Sequence, residues 1–199
     1  MAKPTRAPLR RARAVVAADP TAIIRAASEL AKFTFATHPV ERDAQLLFEM
    51  FPHLNDTAAH ELFPQERFTD SVDGVDQELP ADLVRVSELG DSDRTPMITE
   101  LKLSNMRWIV NKGRRTRLSA DGLDAIAQAR DYQKLARENI VRAEQRYGRS
   151  LNEVTAQVIG GRTLGLNKEI LAQIREDYRE LTLRGYDEVL LDVLRRWDL

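Results

Sequence analysis

The stretch Met97-Ile98-Thr99-Glu100-Leu101-Lys102-Leu103 decides the fold. Successive side chains of a strand point to opposite faces, so Ile98, Glu100 and Lys102 share one face while Thr99, Leu101 and Leu103 share the other. Upstream, Asp82-Leu83-Val84-Arg85-Val86 reads as a second strand, and the polar loop through Gly90, Asp91 and Ser92 lets the two form a hairpin. Pairing Val86 with Pro96 puts position 82 opposite position 100. A slip of two residues would set it opposite 102 instead, still on the same face, because cross-strand parity is kept. Either register gathers two carboxylates and an ammonium.

That trio has a use. Two carboxylates within reach of each other bind a hard divalent cation such as Mg²⁺ or Mn²⁺, which takes oxygen ligands and keeps several waters. Such a cation polarises a phosphoryl oxygen and acidifies water. Lys102, beside carboxylates, stays protonated and is suited to orienting that water or offsetting charge on the phosphate, not to acting as a base. Asp82 and Glu100 are therefore the candidate metal ligands, and Lys102 the candidate at the water. An exposed strand face also shows such Glu/Lys pairs, so the triplet needs company.

Its company lies on both sides. Ser119 as N-cap and Gly148 after the last turn predict a long helix over 120–147. In it Gln128 continues the stripe of Tyr132, Leu135, Ala136 and Ile140, which places an amide at the edge of the core. Val154 to Ile159 predicts a strand ended by Gly160-Gly161-Arg162, and Lys168 to Leu183 a helix ended by Gly185. A last helix starts at Asp187. Before the hairpin, Asp19-Pro20 opens a helix with Ile23, Ile24, Ala27 and Leu30, and Pro39 to Pro52 predicts another with Glu41 in its first turn. Ala58 to Pro80 is poorly patterned: Leu62 and Phe63 fit either a short strand or a helical turn, and Gly74, Pro80 and the run of acids indicate loop. Helices around a short mixed sheet make the chain α/β or α+β.

The 199 residues suit one domain with a short extension, and 43% hydrophobic with 31% charged residues supplies a core without staples. No apolar run reaches the roughly 20 residues of a membrane span, and no apolar signal segment follows Met1. Cysteine is absent, which removes disulfides, thiol nucleophiles and cysteine-based zinc sites. His38, His53 and His60 lack ligand spacing. The expectation is a soluble cytoplasmic protein. Lys and Arg number 30 and Asp and Glu 31, but they are segregated. Residues 1–18 form a basic tail; a plain tail, a helix ordering on nucleic acid and an organellar presequence all fit it. Ten acids lie between Glu61 and Asp93, against Arg67 and Arg85. From Lys102 to Arg117 a basic loop is expected in which all charges are positive, and Arg114, Arg115 and Arg117 are the candidate backbone-phosphate contacts. Trp108, within that block, is a candidate for stacking on a base.

Asp82, Glu100-x-Lys102 and the helical Gln128 resemble the PD-(D/E)xK nuclease signature. More narrowly, Glu100-Leu101-Lys102, Ala125-Ile126-Ala127-Gln128 with Asp131-Tyr132, Ile159-Gly160-Gly161-Arg162 and Tyr186-Asp187-Glu188-Val189-Leu190 resemble the Shedu family of bacterial anti-phage nucleases. The Glu41 to Pro52 helix resembles that family's opening segment, so the likeness covers about Pro39 to Leu199. Leu103-Ser104-Asn105 stands where the family has a basic residue and proline, Leu181 to Tyr186 is less apolar than usual, and a sensing domain carried by some relatives is not expected. The resemblance implies a restriction-endonuclease-like mixed sheet flanked by helices, with residues 19–199 as one nuclease domain. It further implies Mg²⁺- or Mn²⁺-dependent DNA cleavage, homo-oligomers and defence against phage or plasmid DNA. Asp82, Glu100, Lys102 and Gln128 would be catalytic and Glu41 an additional acid. The alternative expectation is a nucleic-acid-binding or assembly module that keeps the fold without turnover.

Overall fold

The computed structural model describes residues 20–51, 54, 59–72, 75–87, 96–112, 115–138 and 153–199. The basic tail, Asp19, Arg114, Ile140 and Gly148 lie outside the described residues. In chain order the elements are α1 (Pro20–Thr34), α2 (Glu41–Met50), β1 (Ala59–Val72), β2 (Val75–Ser87), β3 (Pro96–Leu101), β4 (Ile109–Lys112), β5 (Arg115–Leu118), α3 (Ala120–Glu138), β6 (Thr155–Ile159), α4 (Lys168–Asp177), β7 (Leu181–Arg184) and α5 (Tyr186–Arg196).

Five strands form one sheet in the order β1-β2-β3-β6-β7. β1, β2 and β3 are antiparallel, whereas β3, β6 and β7 run parallel. The parallel pairs need crossovers, and α3 and α4 supply them. The alternation read in β3 sets the layers. Leu83, Leu101 and Ile159 face a layer built from α1, α2 and α5. Val84, Ile98, Ala156 and Val158 face the opposite layer, with α3 and α4. This is the mixed α/β architecture expected from the sequence. Leu101 is fully buried, so its truncation to alanine would cost about 3 kcal/mol.

Caps fix the helix starts. Ser119 Oγ accepts a hydrogen bond from Gly122 N at 2.9 Å, and Asn167 Oδ1 accepts from Glu169 N and Ile170 N. Among the described residues no helix is long and apolar enough to cross a membrane.

Three expectations are corrected. Of the two readings open for Leu62 and Phe63 the structure has strand, and the loop expected around them is strand too: most of Ala58 to Pro80 belongs to the long β1–β2 hairpin, whose register runs from Ala59 opposite Ser87 to Val72 opposite Val75. Prolines are tolerated in this hairpin. Pro64 lies on the edge strand, and Pro80 lies beyond the part of β2 that pairs with β3. Second, the helix from Lys168 ends at Asp177, and Leu181–Arg184 is strand β7, with Leu181 and Leu183 buried and Thr182 exposed. Third, the basic block is not a plain loop but leads into the two-stranded ribbon β4–β5.

Candidate active site

β2 and β3 pair with Val86 opposite Pro96 and Leu83 opposite Thr99. Continued by one residue, that register sets Asp82 opposite Glu100. Their side chains leave the sheet on the α3 face, at the end of the central strand where β3 stops hydrogen-bonding to β2. Asp82 Oδ2 accepts from Leu101 N at 2.8 Å, so the carboxylate closes the ladder that its own strand leaves open.

Lys102 is the hub. Its Nζ lies 2.7 Å from Glu100 Oε1 and donates to Gln128 Oε1 at 2.7 Å. Glu41 Oε1, from the first turn of α2, is 3.8 Å away. Glu100, Gln128 and Glu41 thus meet at the Lys102 ammonium, and Asp82 is held beside them by Leu101 N. Glu100 is buried, Asp82 and Lys102 are half-buried, and Glu41 and Gln128 are exposed. Gln128 sits at the solvent edge, not under the stripe that carries Tyr132, Leu135 and Ala136 into the core.

The backbone under Lys102 is tied from three sides. Lys102 N donates to Ile159 O at 2.9 Å, and Gly161 N donates to Leu103 O at 2.9 Å. Tyr186 donates its hydroxyl to Lys102 O at 2.7 Å. A Cβ on Gly160 would come within 2.9 Å of Lys102 Cβ and Met106 Cε, which explains a glycine where β6 passes the lysine. Gly161, at φ +55°, has the left-handed conformation, and a Cβ there would strike Met106 O.

Burial and like charge dominate the electrostatics. The Glu100 carboxyl is pushed up to about 7, first by desolvation and then by the Asp82 charge, against the opposing pull of Lys102. Asp82 is also raised, mainly by burial, although its bond from Leu101 N works the other way. Burial works against the Lys102 ammonium, but the bond and charge of Glu100, then Glu41 and Asp82, outweigh it and raise its pKa. It stays a cation. The phenol of Tyr132 is raised by burial and then by the charges of Glu100 and Asp82.

One atom is left over. Glu100 Oε2 is buried and has no hydrogen-bond partner. A second carboxylate close by, a raised pKa and an orphaned oxygen suit a hard cation. Among the described residues no three Asp, Glu, His or Cys side chains form a cation-holding group, so the protein would supply two carboxylates and solvent the remaining ligands.

Other candidates fall elsewhere. Trp108 is buried, and its Nε1 donates to Gly160 O at 2.6 Å. Base stacking is excluded for it; it is a core residue joining the ribbon to the loop after β6. Arg117 is exposed on β5, and Arg115 begins the same strand. His38 is exposed, and Trp197 packs against the α1–α2–α5 layer. Sequence reasoning missed Tyr186 as a support for Lys102. The two lie far apart in sequence, and only the closing of α5 under β3 joins them.

The fold and site together define a mixed α/β protein with a carboxylate–lysine centre at the end of its central strand. No family model matches the chain, and no curated protein matches it. A solved structure similar to it is that of protein VC1899 from Vibrio cholerae, with 13% identity and a TM-score of 0.44 over 78% of this chain. The chain spans 33% of that protein's length.

Proposed function

We propose that the chain is a divalent-metal-dependent DNA endonuclease that hydrolyses phosphodiester bonds, with Asp82 and Glu100 holding Mg²⁺ or Mn²⁺. The observation that carries this reading is Glu100 Oε2, buried and unbonded on a carboxylate whose other oxygen already meets Lys102. An unsatisfied buried oxygen costs about 1–3 kcal/mol, more for a charged group, and a hard cation offsets that cost. When bound, the ion polarises a phosphoryl oxygen and makes water more acidic.

The chain's own residues do the rest. Lys102, a cation held between Glu100 and Gln128, orients the attacking water and stabilises charge growing on the phosphate. Gln128 restricts the ammonium from the solvent side. Tyr186, through Lys102 O, holds the backbone from which the lysine projects. Glu41, near Lys102 and exposed, is an additional acid at the mouth of the site. Arg114, Arg115 and Arg117 contact the DNA backbone. The resemblance to the Shedu nucleases supports a cytoplasmic, homo-oligomeric enzyme acting against phage or plasmid DNA.

Plasmid and linear DNA incubated with the protein and Mg²⁺ or Mn²⁺, against EDTA, tests this. Wild type should cut and Glu100→Gln should not. If wild type leaves every DNA intact but binds it through salt-sensitive, metal-indifferent contacts, the chain is a binding module that keeps the fold without turnover.

A further inference from the structure

Two loops, one leading to the site and one leaving it, carry exposed groups that catalysis does not use. The loop between α1 and α2 ends at Val40, the N-cap before Glu41, and begins with Phe35, which is 54% exposed. The loop after β6 starts at Gly160, packed against Lys102 Cβ, and carries exposed Arg162. The loops meet: the Arg162 guanidinium lies over the Phe35 ring, 5.9 Å from its centre. A single exposed phenylalanine is ordinary. Phe35 differs in having a cation on its ring and the candidate site beside it.

Both partners are held in place. Phe35 N donates to Ala31 O, which continues the α1 ladder, and Ser104 Oγ bonds Phe33 O at 2.7 Å, tying this end of α1 to the segment just after Lys102. On the other loop, the buried carboxylate of Asp187 accepts from Thr163 N at 2.9 Å and also from Leu164 N. A buried carboxylate is thus spent on ordering a loop that presents its side chains to solvent. Among the described residues no carboxylate forms an ion pair with Arg162, so its charge is available to an anion.

We infer that Phe35 and Arg162 form a platform for an unpaired nucleotide next to the scissile phosphate, with the base on the aromatic–guanidinium surface and the adjoining phosphate on Arg162. This rests on the nuclease reading for the location of the phosphate. Every base has a π-face, so the platform favours single-stranded or frayed DNA over a closed duplex without reading sequence.

The test measures binding in EDTA, using a short single strand that carries one fluorescent aminopurine and the same strand fully paired. Wild type should bind the single strand and quench the aminopurine. Phe35→Leu, which keeps the bulk but loses the π-face, should weaken that binding about tenfold and remove the quench, leaving the duplex affinity unchanged. Arg162→Gln should lower the salt slope by about one unit. Unchanged single-strand affinity and quench in Phe35→Leu would overturn the platform, as would an equal loss on the duplex. Cleavage is scored separately with Mg²⁺. A wild type that stacks the base but never cuts overturns the nuclease reading alone. A wild type that cuts while Phe35→Leu binds and quenches normally overturns the platform alone.

Discussion

Around the Lys102 ammonium the site has a buried side and an open side. Asp82 and Glu100 project from neighbouring strands, Glu100 buried and Asp82 half-buried, and desolvation raises both carboxyls, helped at Glu100 by the Asp82 charge and at Asp82 by the Glu41 charge. Glu41 and Gln128 approach from helices, exposed, at 3.8 Å and 2.7 Å from the same nitrogen. Strands fix positions by pairing over many residues, whereas each helix here brings one exposed side chain that solvent can replace. The buried side therefore carries an electrostatic cost that only a proton or a cation relieves, and the open side trims the orientation of the lysine.

The largest expected effect tests that division on activity. Glu100→Gln and Asp82→Asn should each lower single-turnover cleavage about a thousandfold with Mg²⁺, because each removes a ligand and a charge at the reacting phosphate. Glu41→Gln should cost about tenfold or less. If all three variants lose activity equally, the site has no privileged side.

Stability against pH sharpens the comparison next. In metal-free protein the folded chain keeps the Glu100 proton up to about pH 7, while the unfolded chain releases it near 4.5. Stability from this group is whole below 4.5 and is lost as pH rises through 7, by about 3 kcal/mol. Asp82 shifts in the same direction. Urea midpoints in EDTA should therefore fall between about pH 5 and about pH 8 in wild type, and fall less in Glu100→Gln. At the alkaline end, saturating Mg²⁺ should stabilise wild type and not Glu100→Gln. Equal curves would mean that the buried pair is not the source of the cost.

How much of this was legible follows from which interactions are local. The β3 alternation from Ile98 to Lys102 gave its faces, its register with β2 and the meeting of Asp82 with Glu100, because period-2 parity survives any even slip. The β1–β2 hairpin was not legible. Its sequence is charged and interrupted by Pro64 and Pro80, and it is strand because most of its residues find a partner across the hairpin, with one shift of register between Ala59 and Glu61. β7 was hidden for another reason. Leu181 continues the helical stripe of Ile174 and Tyr178, so only the observed stop at Asp177 separates helix from strand. Within the site, the residue types announced Glu100 and Lys102. The Tyr186 hydroxyl and the Arg162–Phe35 contact depend on where α5 and the loop after β6 come to rest, and no spacing encodes that.

The basic ribbon offers a separate test, because the effect of its arginines should fall on binding. Arg117 is exposed and Arg115 shares its strand. Neutralising Arg114, Arg115 and Arg117 together should weaken duplex binding and lower the salt slope by about one unit for each phosphate that an arginine no longer neutralises. Single-turnover cleavage at saturating DNA should fall far less than in Lys102→Ala. A triple variant that binds normally at every salt concentration would move the phosphate track away from β4–β5.

Gln128→Ala should have the smallest effect of the set, and the reason is geometric. The amide accepts one hydrogen bond from Lys102 Nζ, and that nitrogen already has Glu100 at 2.7 Å and Glu41 at 3.8 Å. Because Gln128 is exposed, water can take the place of its oxygen at little cost. Folding stability should change by no more than about 1 kcal/mol. What water cannot supply is a fixed direction, since the amide is carried by the helix that packs on the sheet. The loss should therefore appear as roughly a tenfold fall in kcat with KM unchanged, because orientation of the ammonium matters once the phosphate is bound. Gln128→Asn, whose shorter arm leaves the amide short of Lys102, should behave like the alanine variant. A thousandfold loss in either would move Gln128 from the open side into the group that the reaction cannot do without, and the division around Lys102 would have to be redrawn with α3 on the buried side.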